Sequence, residues 1–594
     1  MQKTDENTGM TRRQFIEIMG GAASLAALSS MGVLNGWAAN TPEVDADKLG
    51  YQENEADVLV IGGGMAGLFA AVKAHDAGAK VILVSKGGLG SSGSTPFAKG
   101  IFSYDATTEK GSIDDFVATV SRSALGTNNP VYTRQMAEQS LARVNDLKSW
   151  GFFDSVLYNS CFSQPMTERN IPVMERIVIT HLIKENGRIA GAAGFSLDEE
   201  KVHFFKAKSV ILCTGAGGFK PNGFPICDLT HDGTIMAYKI GAKVTGKEWN
   251  DGHPGQAENP ADCYTGWHGM FDRKPGTTGV EVHHDLGVDL NYIAYKSGNP
   301  VKMGPPGSGD SITIAGGPYV PEEFKHRESK ERRGPPPGGR PDSGERDPKG
   351  GKEGGGPPGM GGTSVGVSSA GMAIHKSEGL VPINDKCEST IPGLYAAGDA
   401  LGSYMAGAIY TQVGSSLAGS AVQGAIAAEA AADYCQKVAM PQISAMKMKT
   451  IQGEILAPLK REAGYSPAWV TQILQGIMIP NFILYIKKEN LLKAALAYIE
   501  ELRDHHVPML RASDLHELRL AHETENMILT AEMKLKASIL RTESRCSHYR
   551  LDYPDMDDKN WRAWINIYKG ADGKMNFEKQ AFDSWPKGTK SIAL

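Results

Sequence analysis

Apolar residues along this chain recur in two rhythms, and the switch between them lays out its plan. Residues 56–61 (ADVLVI) form a short, nearly continuous apolar run closed by glycines, the pattern of a strand covered on both faces. Residues 62–79 (GGGMAGLFAAVKAHDAGA) turn and then set apolar side chains at helical spacing, and residues 80–86 (KVILVSK) read as a second buried strand. Together they predict a β-α-β unit of about thirty residues. Residues 175–197 read as two strands joined at Asn186-Gly187, 207–218 (AKSVILCTGAGG) as a strand entering a glycine turn, and 393–400 (GLYAAGDA) as one more, far away in sequence. From 246 to 362 the periodicity fades. Within that region, residues 334–362 hold 12 Gly and 7 Pro in 29 positions, too little apolar surface to offset the entropy of ordering, and read as a mobile surface loop. After about residue 440 the rhythm turns helical, as in 490–506 and 523–545.

Composition narrows the class. With 41% hydrophobic and 22% charged residues, the 594-residue chain has the balance of a globular protein with two or three domains. A formal charge of −5 points to neither nucleic acid nor an anionic membrane surface as partner. The seven cysteines contain no C-x-x-C pair, so no zinc ribbon, ferredoxin-type cluster or attached c-type haem is written here. If such a chain moves electrons, the other redox centre sits on another protein. Residues 1–39 read as an address: Arg12-Arg13, Phe15 and a mildly apolar run to Ala39 form the pattern of a twin-arginine export signal. That predicts delivery of the folded protein to the periplasm or beyond. The run is too glycine-rich for a permanent span, and no later segment offers about 18 uninterrupted apolar residues, so no integral membrane segment is expected after signal removal.

The chemistry begins at Gly62-x-Gly64-x-x-Gly67, which follows a strand and opens a helix. The three glycines suit a tight turn, close backbone approach to a pyrophosphate, and tight helix–strand packing, while the helix N-terminus offers free N–H groups to phosphates. A dinucleotide is therefore expected. The second strand ends in Ser85-Lys86 where an acidic residue would hold an NAD ribose, so the simplest NAD fingerprint is incomplete. Residues 87–100 (GGLGSSGSTPFAKG) form instead a long small-residue loop able to wrap the pyrophosphate and ring of an extended FAD.

These pieces resemble the FAD-binding flavoprotein family of succinate dehydrogenase, fumarate reductase, L-aspartate oxidase and adenylylsulfate reductase. The matching stretches are the glycine turn, 84–95 (VSKGGLGSSGST), 212–219 (LCTGAGGF), 230–242 (THDGTIMAYKIGA) with Asp232-Gly233, and 391–402 (IPGLYAAGDALG). Residues 541–561 (RTESRCSHYRLDYPDMDDKNW) resemble the members with a helical third domain, and 549–561 within them look closest to the adenylylsulfate reductase branch. The resemblance implies an α/β architecture: a Rossmann-like FAD-binding domain in two parts (55–245 and 363–440), an inserted capping domain (246–362) and a C-terminal helical domain (441–594). It also implies particular contacts to FAD. Gly62, Gly64 and Gly67 match the pyrophosphate turn, and Ser85 and Lys86 the ribose end. Ser91, Ser92, Ser94, Thr95 and Gly100 lie in the wrapping loop. Val178 brings backbone to the adenine. Thr214, Gly215 and Ala216 form the following turn, and Asp232 belongs to the same set. Asp399 lies near the ribityl chain. Ser415, Ser416 and Leu417 start a helix beneath the pyrimidine end of the flavin. Gly93 or Ser94 stands where some members carry the histidine that bonds FAD, which implies noncovalent binding.

Substrate residues depart from the family. Thr411 or a neighbour stands where fumarate reductases and succinate dehydrogenases carry a carboxylate-clamping arginine, a second family histidine falls near Val367, and a capping-domain arginine has no clear counterpart. Arg545, His548 and Arg550 are expected to form structural ion pairs. His253, before a proline, and Tyr410 are the catalytic candidates, with Tyr404, Trp249 and Trp267 as further candidates for an aromatic cavity. A bidentate Arg–carboxylate pair orients a small diacid, and without it fumarate and succinate are poor substrates. The expected activity is hydride transfer between FAD and an organic substrate, as C=C reduction or dehydrogenation, with electrons exchanged with a separate iron–sulfur or cytochrome protein. The alternatives are an electron-transfer flavoprotein subunit without organic substrate, or an oxygen-reducing oxidase.

Overall fold

The computed structural model describes residues 44–97, 101–108, 111–153, 158–220, 226, 228–250, 254–256, 301–302, 364–368, 376–409 and 414–593. The chain divides into two compact units, Met1–Asp45 and Ala46–Leu594. Of the first, only Val44 and Asp45 are described. The expected signal (1–39), the Gly/Pro-rich stretch 334–362 and most of the expected capping domain lie outside the described residues.

The central sheet of the second unit is built first from β1 (Gly50–Ile61), β2 (Val81–Val84), β3 (Val173–Met174), β4 (Ile177–Glu185), β5 (Arg188–Ser196) and β6 (Lys201–Leu212), in the order β3-β2-β1-β6-β5-β4. β1 runs parallel to β2 and β6, whereas β5 is antiparallel to both β4 and β6. The apolar run 58–61 is buried as its pattern requires, but β1 starts at Gly50, well before that run. Gly50–Glu55 is polar and mostly exposed, and the register with Lys201–Lys206 holds it in the ladder. Hydrogen bonding, which leaves no apolar signature, extends this strand.

Among the short strands that follow are β7 (Val244–Thr245), β8 (Gly379–Leu380) and β9 (Leu394–Ala396). β9 returns to the sheet alongside Val210–Leu212 of β6, in parallel, so the distant GLYAAGDA stretch does join the first β-α-β unit. The helices that frame the site are α1 (Met65–Asp76), α2 (Asp232–Lys239) and α3 (Ser415–Lys437). α3 lies against α1 so closely that a Cβ on Gly424 would sit 2.4 Å from the Ala66 carbonyl oxygen. Its small residues bring two helices together, which accounts for much of the uncharged composition of 407–424.

The helical rhythm expected after 440 holds through Ala445–Leu456, Pro467–Met478, Glu489–Glu501 and α4 (Leu515–Leu540). The C-terminal region is helical as expected, and it also carries strands that the helical rhythm does not announce. The chain ends in β10 (Ala563–Lys569), β11 (Met575–Ala581) and β12 (Thr589–Ile592), joined to β7 and β8 in an antiparallel sheet of order β8-β7-β10-β11-β12. Pairing of Asn566 with Thr245 and of Ile567 with Val244 makes the end of the chain part of the first half's architecture.

A buried ionic cluster ties these parts together. Glu378 accepts hydrogen bonds from Lys247 Nζ (2.5 Å) and from Lys534 Nζ on α4 (2.8 Å), and His231 Nδ1 lies 3.1 Å from the same carboxylate. Nearby, Arg541 pairs with Glu248 (2.9 Å) and Glu543 (2.7 Å), Arg545 with Glu543 (2.9 Å) and Asp558 (2.7 Å), and Arg550 with Asp552 (2.8 Å). His548 Nδ1 lies 2.9 Å from Lys487 Nζ. The ion pairs expected of Arg545 and Arg550 agree with this geometry, whereas His548 faces the Lys487 ammonium and not a carboxylate. Burial pushes Glu378 up, but the Lys247 and Lys534 ammoniums outweigh it and hold the carboxyl well below its usual range.

Burial also pulls the His231 imidazole down to about 4, against the opposing pull of Glu378. An unfolded chain has His231 near 6.5, so as pH falls the unfolded state takes the proton first. The stabilisation from a neutral His231 is therefore complete above pH 6.5 and lost as pH falls towards about 4. His231→Asn keeps a residue that tolerates the left-handed backbone found there (φ 63°). It should flatten the decline of the denaturant midpoint between those two pH values. An unchanged decline in the variant would place the acid sensitivity elsewhere.

Candidate functional site

The parallel strands end together at Ile61, Ser85, Cys213 and Ala397, and all four residues border one cleft of about 820 Å³, solvent at its mouth included. That is the place where open α/β sheets bind ligands. Gly62 leaves β1 at φ +119°, and a Cβ on it would lie 2.1 Å from the Cys213 carbonyl oxygen. On α1, a Cβ on Gly67 would lie 1.8 Å from the Gly62 carbonyl oxygen. Backbone meets backbone at both positions, so no side chain can yield and only glycine fits. Gly64 supplies no capping side chain to α1; Met65 N–H donates to Thr95 Oγ1 (3.2 Å). Gly63, Gly64 and Ala66 border the cleft, which therefore meets the partly positive end of the helix.

The loop 87–95 forms another wall. Two carboxylates hold it by its main chain: Asp228 Oδ2 accepts from Gly93 N–H (2.9 Å) and Glu175 Oε1 from Leu89 N–H (2.6 Å). Ser92, Ser94 and Thr95 border the cleft; Ser91 is exposed and does not. Gly100 lies outside the described residues. Ile177 and Ile179 of β4 border the cleft, and strand alternation turns the Val178 side chain away, leaving only its main chain to offer. Thr214 and Gly215 border it while Ala216 does not.

Lys86 is held by three acceptors. Its ammonium donates to Asp232 Oδ2 (2.7 Å), Glu523 Oε1 (2.7 Å) and Thr230 Oγ1 (3.2 Å). Three N–H groups meet three acceptors, so the side chain braces the wall rather than presenting an open charge. Burial works against protonation, but the Asp232 and Glu523 carboxylates dominate and raise Lys86 above the ordinary lysine range. Asp232 Oδ1 in turn accepts from Asn526 Nδ2 (2.9 Å) and Thr230 Oγ1 (2.9 Å). Glu523 and Asn526 both come from α4, so the C-terminal helix reaches the cleft wall.

Asp399 and Ser420 border the opposite end. Ser415, Ser416 and Leu417 start α3 but do not border the cleft. There Lys376 Nζ donates both to Asp399 Oδ1 (2.8 Å) and to the Ser416 carbonyl oxygen (2.8 Å). The charged side chains on the described border are Lys86, Asp228, Asp232 and Asp399.

Two family models match: FAD dependent oxidoreductase over residues 57–220, and fumarate reductase flavoprotein C-term over 472–590. The chain is 25% identical to an uncharacterized FAD-dependent oxidoreductase of Methanocaldococcus jannaschii, over 88% of this chain and 98% of the relative. It is likewise 25% identical to a fumarate reductase (CoM/CoB) polypeptide of Methanothermobacter marburgensis, over 84% and 95%. The chain is an FAD-dependent oxidoreductase, similar to the succinate dehydrogenase/fumarate reductase flavoproteins. The fold of this flavoprotein is shared by adenylylsulfate reductase from Archaeoglobus fulgidus (TM-score 0.63, 20% identity, 91% of this chain and 98% of that one). It is also shared by the apo Sdh1 complex of Mycobacterium smegmatis (TM-score 0.66, 23% identity, 89% and 94%).

The residues present fit FAD. A glycine turn that any Cβ would fill and an uncapped helix end suit a pyrophosphate, and the border's side chains, with more carboxylates than ammoniums, leave its recognition to main-chain N–H groups. The aromatic candidates fare differently. Tyr404 is buried and stacks on Trp564 (4.9 Å between centroids), and Trp249 is buried under the Arg541 guanidinium (4.6 Å). Both belong to the core, so of the two places open to an aromatic residue, core or cavity, these two occupy the core. His253, Tyr410, Thr411 and Trp267 lie outside the described residues. Sequence reasoning missed Asp228, Lys376, Glu523 and Asn526 because no motif marks them, and it gave Thr230, inside the matching stretch 230–242, no role of its own. Glu523 and Asn526 share a helix face by their spacing of three, yet nothing local points that face at Lys86.

The flavoprotein's glycine cradle gives a direct test. Gly67→Ala pushes a methyl into the Gly62 carbonyl, and should destabilise the protein by about 1–3 kcal/mol and cut FAD content severalfold. Gly453→Ala, inside the helix Ala445–Leu456 where an added Cβ meets nothing within 4 Å, should leave FAD content unchanged and raise stability by about 0.5–1 kcal/mol. Thermal unfolding measures the stability change, and the ratio of flavin to protein absorbance after reconstitution measures the FAD content.

Proposed function

We propose that this flavoprotein transfers a hydride between FAD and an organic substrate, reducing an activated C=C bond or running the reverse dehydrogenation, and that fumarate and succinate are not its substrates. The observation that carries the reading is the stretch 407–424, GAIYTQVGSSLAGSAVQG, which leads into α3 without an arginine, lysine, histidine or carboxylate. Relatives named fumarate reductases support an unsaturated acceptor. The missing arginine argues for a larger or less charged one, since a bidentate clamp gives a diacid much of its orientation.

FAD, when bound noncovalently, supplies the two-electron hydride chemistry. The chain's part is to bind, orient and manage the proton. Within the glycine turn, Gly63, Gly64 and Ala66 offer their main chain to the pyrophosphate, and the wall 87–95, pinned by Asp228 and Glu175, shields one side. His253 is our candidate for moving the substrate proton, with Tyr410 contacting the substrate. Electrons pass to or from a separate iron–sulfur or cytochrome protein, because no Cys-x-x-Cys or haem-attachment motif places a second centre on this chain. We also propose export by the twin-arginine route on residues 1–39. No helix among the described residues is long and apolar enough to cross a membrane.

The test uses the FAD-loaded protein, photoreduced and mixed separately with a neutral enoate, fumarate, a c-type cytochrome and air. Reoxidation by the enoate should exceed that by fumarate at least about tenfold, and His253→Ala should slow it about 100-fold. Fumarate turnover as fast as the enoate's would overturn the substrate reading. Reoxidation by the protein acceptor alone would make this an electron-transfer protein, and by air alone an oxidase.

A further inference from the structure

We infer that Lys376 is a positioning residue for the flavin: its buried ammonium fixes Asp399 at the cleft wall and offsets the negative charge gathered there. Lys376 is 1% exposed and sits in the left-handed backbone region (φ 61°), a conformation uncommon for a residue other than glycine. Its Nζ lies 2.8 Å from Asp399 Oδ1 and 2.8 Å from the Ser416 carbonyl oxygen, and so joins the cleft wall to the first turn of α3. The stem runs over Gly419, where a Cβ would lie 2.7 Å from Lys376 Cε and 2.3 Å from Met405 Cε. The helix thus leaves a slot in which the lysine reaches the cleft wall.

Burying an ammonium is unfavourable unless it is well paired, so a lysine with a general surface role would remain in water. This one is desolvated behind a cleft whose described border carries Asp228, Asp232 and Asp399 against Lys86 alone. Lys86 is already matched to Asp232 and Glu523. FAD adds its pyrophosphate charge, and its reduction adds negative charge to the ring system. A fixed cation one hydrogen bond behind Asp399 lowers the electrostatic penalty of both, and acts more strongly there than it would in water.

The inference rests on FAD filling this cleft, and the experiment separates the two claims. Apoprotein is titrated with FAD to obtain affinity, and the holoprotein is titrated reductively beside a reference dye to obtain the midpoint potential. Lys376→Met should weaken FAD binding about tenfold or more. It should also shift the oxidised–reduced equilibrium about tenfold towards oxidised, a fall of roughly 30 mV for two electrons. Lys376→Arg should recover most of both changes. Asp399→Asn should move the potential the opposite way, because it removes the negative partner; a merely structural contact would move both variants alike. Should Lys376→Met fail to fold, Asp399→Asn alone decides, a raised potential supporting the role and an unchanged or lowered one overturning it. The exposed Lys437, mutated to Met, is the control for charge removal at a distance and should shift nothing. Parent protein that takes up no FAD overturns the cofactor assignment. Yellow parent protein with Lys376→Met unchanged in affinity and potential overturns the role of Lys376 only.

Discussion

Main chain touches main chain at Gly62, and the rest of the site depends on that contact. The turn brings the end of β1 against the Cys213 carbonyl on one side and the start of α1 on the other, both at distances no side chain would permit. Because the approach is so close, the ends of four parallel strands converge on one cleft, and the uncapped end of α1 can face it. Recognition by backbone dipoles has a further consequence. The wall need not carry cations, and it is instead rich in carboxylates that are tied to neighbouring lysines and amides.

That arrangement requires support from outside the nucleotide-binding unit, and α4 supplies it. Along one helix, Glu523 and Asn526 reach the Lys86–Asp232 pair, and Lys534 reaches Glu378. Further on, β10 closes onto β7. Buried ion pairs of this kind add little net stability compared with apolar packing, but removing one partner strands the other without water. They therefore specify how the C-terminal region meets the flavin-binding half more than how strongly. In this flavoprotein the cofactor site and the C-terminal helix form one electrostatic unit.

The first β-α-β unit, the Asn186-Gly187 hairpin and the return of residues 394–396 to the sheet were legible because each carries a dense apolar run broken by glycine. The glycine fingerprint was legible for the same reason that it works: steric exclusion acts locally and selects one residue type. The polar start of β1 and the closing strands β10–β12 were not legible as such, because their pairing partners lie far away in sequence and hydrogen bonds do not select side chains strongly. Tyr404 and Trp249 could not be assigned to core or cavity from the sequence, since an aromatic residue looks the same whether it lines a cavity or fills a core.

The sequence by itself determined the cofactor class, the strand–turn–helix that grips it and the lack of an ionic clamp in 407–424, because spacing and residue size act over a few neighbours. Only the tertiary structure decided where each charge ends. Lys86 meets Glu523 across more than 400 residues of chain, and Lys376 meets Asp399 behind the wall of the cleft. Charge pairing in a buried environment is set by which groups folding deprives of water together, and a linear order of residues does not contain that information.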